Sequence, residues 1–335
     1  MKVKNIGLIL IFLLAQSGLL LAESDYVAKI IYLKGKAYYK GSANGNFKVA
    51  KLGDKLRGNY FFKTTDKAKA QLMTSKGTKI VVDKKTMIYI NDVIPSKKKS
   101  KKAFGVCFGK IKLAVKKLKK GEQFEIMTPT AVAGVRGTKF SVETLADGSA
   151  LVKVHKGKVQ VSSGDNSVDV KKKENVGVNF SDGKMGKSLK TSAFKKEKEK
   201  FAKENPGKVL EMMSKKAETL QSSVGQVTNG LDGSNYTTKF DSYIKDKSSV
   251  VTMSALSDVL YKNNKDDKIV QKYYQKIKSI DERFNEISAL IDQHFKAIDE
   301  KYEKASKAID ETSNKMDKLL DKKFNDIDKK LNSDQ

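Results

Sequence analysis

The chain has 335 residues, of which 32% are charged and only 39% hydrophobic, so the composition argues against one large core. The formal net charge of +28 is compatible with a polyanionic partner, and equally with a lysine bias that runs through the whole chain. A single cysteine, Cys107, excludes an intramolecular disulfide framework, and its apolar neighbours favour a small buried side chain over a reactive thiol.

The first 22 residues have the pattern of an export signal. Lys2 and Lys4 precede an apolar run, and the Ala22–Glu23 junction would suit cleavage. Polar residues at 16–18 interrupt the run before it reaches the roughly 20 apolar residues of a spanning helix. We therefore expect a signal peptide over 1–22 and a periplasmic or secreted protein. An uncleaved N-terminal anchor is the alternative, and export argues against nucleic acid as a partner.

From residue 26 to about 180 the sequence consists of short β-rich segments separated by glycine turns. Examples are V-A-K-I-I-Y-L at 27–33 and A-L-V-K-V-H at 150–155, the latter followed by the turn K-G-K at 156–158. Many short strands at regular spacing predict an all-β sandwich, barrel or coiled sheet. We expect residues 166–190 to form a last hairpin and a linker.

A lysine-rich run lies within this β-rich half. Ile111, Leu113 and Val115 alternate with lysines, which predicts a half-buried strand with one lysine face. That face is either a solvated edge, protected from strand pairing by its charge, or an anion-binding stripe. The lysines that would form the stripe are Lys97, Lys98, Lys99, Lys101, Lys102, Lys110, Lys112 and Lys116.

The run T-P-T-A-V-A-G-V-R-G-T-K-F-S-V, at 128–142, holds one of only three arginines in the chain. Gly134 and Gly137 bracket Val135 and Arg136, so we expect the backbone to turn sharply and approach a neighbouring strand. A guanidinium offers five donors in a planar fork, which favours Arg136 as a structural clamp over a ligand-binding group. We expect Arg136→Lys to lower the melting temperature of the β domain.

With its flanks, this run resembles the signature of the FecR-type periplasmic domain, over residues 26–165. The resemblance implies a twisted β-solenoid or stacked sheet that senses a partner protein. FecR proteins are membrane-spanning regulators of iron-uptake transcription, with a cytoplasmic anti-sigma region ahead of one transmembrane helix. Only five residues precede the apolar run here, so we expect that region to be absent. The signature positions are Thr128, Pro129, Val135, Arg136, Gly137 and Thr138.

From residue 191 the pattern changes to helix. One helix is predicted to end before Pro206 and a second to begin there, because proline is tolerated in the first turn. A loop is predicted at 227–236, followed by a shorter helical piece from about Val250 to Tyr261. We therefore expect short helices and loops over 191–264.

Residues 265–333 are predicted to form one long amphipathic helix. An internal repeat beginning I-D or L-D recurs at offsets of 11, 7, 11 and 11 residues. An 11-residue repeat gives about 3.67 residues per turn, close to a straight helix. Its narrow apolar seam must pair with a second copy, with the helices at 192–262, or with a membrane surface. The seam positions are Ile280, Phe284, Ile287, Ile291, Ile298, Tyr302, Ile309, Met316, Leu320, Phe324 and Ile327.

The sequence contains no catalytic constellation that we could name. His155 and His294 are the only histidines, and no set of His, Cys or carboxylate residues has metal-ligand spacing. We therefore expect no cofactor, no metal and no enzymatic activity. The interpretation is an exported envelope protein whose β domain is an interaction or sensing module and whose helical rod oligomerises or spans distance. The alternative is a binder of lipid headgroups or polysaccharide through Lys97–Lys120. The expected partners are accordingly an envelope protein, an anionic envelope surface or a second copy.

Overall fold

The structure is a computed structural model that describes residues 26–41, 45–91, 101–118, 123–135, 137–228 and 236–333. It divides the chain into two compact units, Met1–Asp281 and Glu282–Gln335. The predicted signal peptide, three lysines of the predicted stripe (97–99) and Arg136 lie outside the described residues.

Within the described residues, seventeen strands precede the helices, and most of them are short. They are β1 (Ala28–Lys34), β2 (Ala37–Lys40), β3 (Lys48–Val49), β4 (Lys55–Leu56), β5 (Tyr60–Thr64), β6 (Lys69–Thr74), β7 (Lys79–Val82), β8 (Met87–Ile90), β9 (Lys101–Ala114), β10 (Gln123–Met127), β11 (Val132–Val135), β12 (Lys139–Thr144), β13 (Ala150–Lys156), β14 (Lys158–Ser163), β15 (Asn166–Lys171), β16 (Asn175–Val178) and β17 (Met185–Lys187).

Backbone pairing arranges these strands in two layers that share β9. Sheet A has the order β4-β1-β6-β7-β9-β12-β13-β16-β17. Sheet B has the order β3-β2-β5-β8-β9-β10-β11-β14-β15. Among the described pairs, neighbours are antiparallel except β9 and β10, which are parallel. The first part of β9 pairs in sheet B and the last part, from Gly109, pairs in sheet A.

One hydrophobic core lies between the two layers. In β6, Ala70 and Leu72 are buried while Lys69 and Gln71 point outward, the alternation of a strand with one buried face. Side chains from both sheets meet in the core, for example Ile30, Leu72 and Ile111 from sheet A with Ile88, Phe104 and Val159 from sheet B. The predicted fold class, a stacked β-sheet body followed by helices, is confirmed.

The β body extends to Lys187, through the segment expected to hold a last hairpin and a linker. The strand β15 pairs with β14, and β16 pairs with both β13 and β17, so most of 166–187 belongs to the two sheets. These strands are only three to six residues long, and polar turns separate them. Segments this short carry little alternation, which is why the sequence pattern indicated only a hairpin and a linker.

Four helices lie in the described residues: α1 (Thr191–Glu204), α2 (Pro206–Thr228), α3 (Tyr236–Asn263) and α4 (Lys268–Ser333). The predicted break before Pro206 is confirmed, because α1 is capped at Asn205 and the proline is the first residue of α2. None of these helices, in the residues described, is long and apolar enough to cross a membrane.

The helix α3 begins at Tyr236, well before the piece predicted from Val250. Residues 250–257 are all buried, including the hydroxyl residues Thr252, Ser254 and Ser257. A helix that is buried on every side has no apolar stripe, so periodicity could not indicate its length. It packs on sheet B, where the Asn91 side-chain amide donates a hydrogen bond to Ser248 at 2.7 Å.

Candidate interaction surfaces

The signature run begins with a turn that is closed by a threonine hydroxyl. The Thr128 hydroxyl accepts from the backbone N–H of Ala131 at 2.8 Å and donates to the Ala131 carbonyl at 3.0 Å. The Thr130 hydroxyl donates to the Gly148 carbonyl, and Ser163 donates to the Thr130 carbonyl at 2.8 Å. All three hydroxyl residues are buried. The turn therefore ties β11 to the β12–β13 turn and to the end of β14, which is a structural role.

The chain crosses from sheet B to sheet A between Val135 and Lys139. Val135 ends β11, which pairs within sheet B, and Lys139 begins β12, which pairs within sheet A. Gly137 has φ +75°, a conformation that other residues avoid, and a Cβ there would approach the Lys117 Cα to 3.2 Å. Thr138 is buried and donates to the Lys158 carbonyl at 2.9 Å. The glycine is thus needed where the chain changes layers.

Gly134 differs from Gly137. It lies inside β11, paired with Glu125 and Gln160, and its φ is not positive. Apart from its two chain neighbours, no residue has a heavy atom within 4 Å of the position that its Cβ would occupy. The expectation that both glycines enable a close backbone approach therefore holds for Gly137 and is wrong for Gly134. The clamp role of Arg136 stays a prediction.

The predicted lysine stripe is divided between the two sheets. The backbone of Lys101 and Lys102 lies in the part of β9 that pairs in sheet B, whereas Lys110 and Lys112 lie in sheet A. Ile111, Leu113 and Val115 are buried, so the predicted alternation is confirmed. Lys116 follows β9 and lies over the β6–β7 turn, 2.7 Å from where a Cβ of Gly77 would be. Those lysines of the predicted stripe that the structure describes therefore do not share one strand face.

A different and larger set of lysines shares the outer face of sheet A. By strand alternation and register, these residues point away from the core on six strands, β1, β6, β7, β9, β12 and β13. We call this set the lysine face; it consists of Lys29, Lys34, Lys69, Lys79, Lys110, Lys112, Lys139, Lys153 and Lys156.

Two carboxylates lie among these lysines, and each is shared. Asp83 lies 3.9 Å from Lys69 and 3.3 Å from Lys112. Glu143 lies 3.6 Å from Lys110 and also pairs with Lys195 of α1. No ion pair joins the other six lysines of the face to any residue that the structure describes.

The helix α1 closes one end of the lysine face and leaves a cavity of about 480 Å³ against sheet A. We call it the α1 cavity. Small polar residues and Leu151 line it together with four lysines and two glutamates. The charged residues are Lys110, Lys153, Lys195, Lys196, Glu143 and Glu199. Its walls therefore carry net positive charge.

His155 lies on the same side of β13. Partial burial lowers the pKa of its imidazole, and the nearby positive charges of Lys153, Lys110 and Lys112 lower it further. The lowered pKa favours the uncharged imidazole beside these lysines.

Two further kinds of site were considered in the described residues, a metal site and a reactive cysteine. No group of three or more His, Cys, Asp or Glu side chains, in the part that the structure describes, could hold a metal ion. Cys107 is buried beneath α3 with Phe61, Tyr89 and Val251, and burial raises the pKa of its thiol. The predicted role of Cys107 as a small buried side chain is confirmed.

The second unit is the helical segment 282–333 of α4, which is about 78 Å long at 1.5 Å per residue. Of its described seam positions, Phe284 and Ile291 are buried and Ile287 is partly buried. Farther along, Ile309 is 68% exposed, Met316 56% and Leu320 47%. Ile280 is buried in the first unit. Of Ile298, Tyr302, Phe324 and Ile327, only the helical backbone is described.

Residues 61–160 match the family model described as "FecR protein". This stretch of the chain is therefore similar to a FecR domain. The matched range includes the whole signature run from Thr128 to Val142, so the resemblance seen in the sequence is confirmed.

Two crystal structures of a "putative anti-sigma factor" from Parabacteroides distasonis ATCC 8503, at 1.65 and 2.50 Å resolution, are similar to this chain. Each is 21% identical with a TM-score of 0.35, and the match covers 40% of this chain. The chain spans 63% of the length of those proteins. No curated protein matches it.

Most of the lysine face could not be found from the sequence. Lys29, Lys79, Lys139 and Lys153 lie far apart along the chain, and only the strand register brings them onto one surface. Each is the solvated position of an alternating strand, so no local motif marks it.

Proposed function

We propose that this protein is a non-enzymatic, exported envelope protein in which a FecR domain senses or binds a partner protein and the α4 seam joins two copies. The observation that carries the proposal is the combination of a FecR domain with a helix whose apolar seam is exposed. Regulatory FecR domains act through protein contacts, and export is supported by the signal-peptide pattern of residues 1–22.

The seam fits a second copy of the same helix better than an unrelated surface. Ile309, Met316 and Leu320 are separated by seven and four residues, so they lie on one side of the helix. Burial of a large apolar side chain contributes about 1.5 to 3 kcal/mol, which favours association along the seam. Acidic and basic residues alternate beside it, so two copies can place opposite charges against each other.

Sedimentation of the mature full-length protein tests this. We expect a concentration-dependent oligomer for the wild type, and a monomer for the variant Ile309→Asp/Leu320→Asp. The control Asn314→Asp/Lys318→Gln changes the net charge by the same amount on the opposite side of the helix, and should behave as the wild type. A wild type that stays monomeric at about 100 µM, or a control that dissociates equally, would contradict self-association.

Proximity labelling in cells tests the partner role with the same variants. We expect wild type and seam variant to label the same envelope proteins, because the FecR domain is intact in both. Labelling confined to cytosolic proteins would contradict both export and an envelope partner.

The lysine face favours a second function, which is binding of an anionic envelope component. The sequence suggested this function for the run Lys97–Lys120. In the structure, the residues that support it are those of the lysine face, and only Lys110 and Lys112 belong to both sets.

A further inference from the structure

The lysine face contains a row of lysines that crosses sheet A. The register aligns Lys79, Ala114, Lys139 and Lys156 across β7, β9, β12 and β13. On the other side of β7, Lys79 is paired with Met73 of β6, and Met73 is paired in turn with Lys29 of β1. Neighbouring strands are about 4.8 Å apart, so Lys29, Lys79 and Lys139 recur about every 10 Å.

A second row runs beside the first, about 7 Å along the strands. It aligns Val81, Lys112, Ser141 and Lys153 on the same four strands. Neither row contains an acidic residue; Asp83 and Glu143 belong to the next row, where they pair with other lysines of the face and with Lys112.

Protection of a sheet edge does not account for these charges. The strands β7, β9, β12 and β13 each have a partner strand on both sides, so their backbones are not open to further pairing. Like charges about 10 Å apart lie close to one Debye length, about 8 to 10 Å at 0.1 to 0.15 M salt, so salt screens much of their repulsion. The face still has few internal counter-charges, so its local potential is positive.

We infer that these two rows bind a linear polyanion, such as a glycan bearing carboxylates or phosphodiesters, laid across the strands of sheet A. This deepens the second function proposed above and is independent of the α4 seam, since every residue involved lies between 29 and 196. The α1 cavity continues the face at β13 and adds Lys195 and Lys196.

The shape of the face favours a polymer chain over a bilayer or a nucleic acid. Neighbouring strands in a sheet twist by about 20 to 25°, so rows that cross four and six strands cannot lie flat on a membrane, whereas a flexible chain can follow them. On β7, β9, β12 and β13 the rows carry no Phe, Tyr, Trp or Arg, the residues that stack bases or fork onto phosphates.

Binding is tested with the full-length protein and two probes, linear inorganic polyphosphate and polygalacturonate. We expect both to bind, with a plot of log affinity against log salt that has a slope of about −3 for four lysine contacts. Free inorganic phosphate, and vesicles of phosphatidylglycerol with phosphatidylcholine, should bind at least 10-fold more weakly. Binding of one polymer alone would identify the source of the anionic groups. Binding of vesicles but of neither polymer would overturn the inference in favour of a lipid surface.

The variant Lys79→Gln/Lys139→Gln/Lys153→Gln tests the site itself. Its three side chains are exposed, so we expect it to fold, to lose at least 10-fold in affinity and to reduce the salt slope by about 2. The control Lys51→Gln/Lys171→Gln/Lys172→Gln removes the same charge from exposed positions outside the face and should bind as the wild type. Equal losses in both variants would mean that only the net charge matters, and would overturn the site.

The pKa of the His155 imidazole tests the site in the wild-type protein, without any variant. A polyanion on the rows would offset Lys153, Lys110 and Lys112, so the imidazole pKa should rise when polyphosphate binds. NMR titration of the two histidines measures this, with His294 of α4 as the internal reference. A bound polymer that leaves the His155 pKa unchanged would place the binding site elsewhere and would refute the proposed rows.

Discussion

Gly134 and Gly137 lie three residues apart in the signature run, and at the scale of single residues they have different reasons to be glycine. Gly137 has a positive φ at the crossing between the sheets, and Gly134 has an ordinary strand conformation with open space beside it. For a residue other than glycine, the left-handed backbone conformation costs about 1 to 2 kcal/mol of conformational free energy.

We expect Gly137→Ala to lower the free energy of unfolding by about 1 to 2 kcal/mol, because Ala must adopt the positive φ and its Cβ approaches Lys117. Gly134→Ala should be neutral or stabilise by at most about 1 kcal/mol, since it restricts only the unfolded chain. Urea unfolding of the two variants measures the difference. Equal destabilisation would show that the crossing does not depend on the backbone of Gly137.

The sequence predicted residue properties wherever a local pattern determines them. The burial of Ile111, Leu113 and Val115 follows from alternation, and the burial of Cys107 follows from its apolar neighbours. The conformation of Gly134 could not be predicted, because a glycine in a sequence does not show whether its φ is positive. The lysine face was missed for a related reason, since register is a property of paired strands.

At the scale of elements, the packing of α3 on sheet B depends on a close approach. A Cβ on Gly105 of β9 would lie 2.8 Å from the Thr252 Cγ2 and 3.3 Å from the Tyr89 Cβ. The Thr252 hydroxyl donates to the Ser249 carbonyl at 2.9 Å, which holds the methyl group toward the strand. The absent side chain at Gly105 therefore allows the helix to contact the sheet.

Gly105→Ala should destabilise the protein by about 1 to 3 kcal/mol, because the new methyl group overpacks this interface. Thr252→Ser removes the Cγ2 and keeps the hydroxyl, so the double variant should recover about 1 kcal/mol or more relative to Gly105→Ala. A double-mutant cycle in urea measures the coupling. Strictly additive effects would mean that the strain at Gly105 does not come from α3.

The sequence predicted the helices to the extent that they are amphipathic. The break at Pro206 and the long helix α4 were correct, because proline and the repeated apolar seam are local features. The start of α3 was missed because residues 250–257 are buried on all sides. A helical segment that is buried on all sides has no polar face, so its sequence shows no helical periodicity.

At the scale of the whole molecule, three groups whose pKa values are shifted by burial make stability depend on alkaline pH in two opposing ways. Lys216 of α2 is partly buried, and this burial lowers its pKa to about 8. Its amine lies 5.2 Å from the centre of the Phe180 ring. Burial raises the pKa of the Cys107 thiol, and it raises the pKa of Tyr274 to about 12. Because of these two groups the folded protein becomes less stable as pH rises, since both ionise at a lower pH in the unfolded chain.

Lys216 acts in the other direction. Between about pH 8 and its ordinary pKa of 10.5, the unfolded chain binds more protons than the folded protein, so this group adds stability as pH rises. Below pH 8 the lysine is charged in both states, and keeping the charge shielded from water costs about 1 to 3 kcal/mol. A variant that lacks only this amine separates its effect on stability from the effects of the Cys107 thiol and the Tyr274 phenol.

Lys216→Met keeps the length of the side chain and removes the charge, so we expect it to be more stable than the wild type by about 1 to 3 kcal/mol at pH 7. The difference should shrink below about 1 kcal/mol at pH 10, while Cys107 and Tyr274 titrate equally in both proteins and cancel. Urea unfolding at the two pH values measures it. Lys215→Met is the control, because a hydrogen bond with Glu211 raises the pKa of Lys215, and its loss cannot stabilise the fold at pH 7. A gain from Lys216→Met that is equally large at pH 10 would show that packing, and not the buried charge, sets the stability at this position.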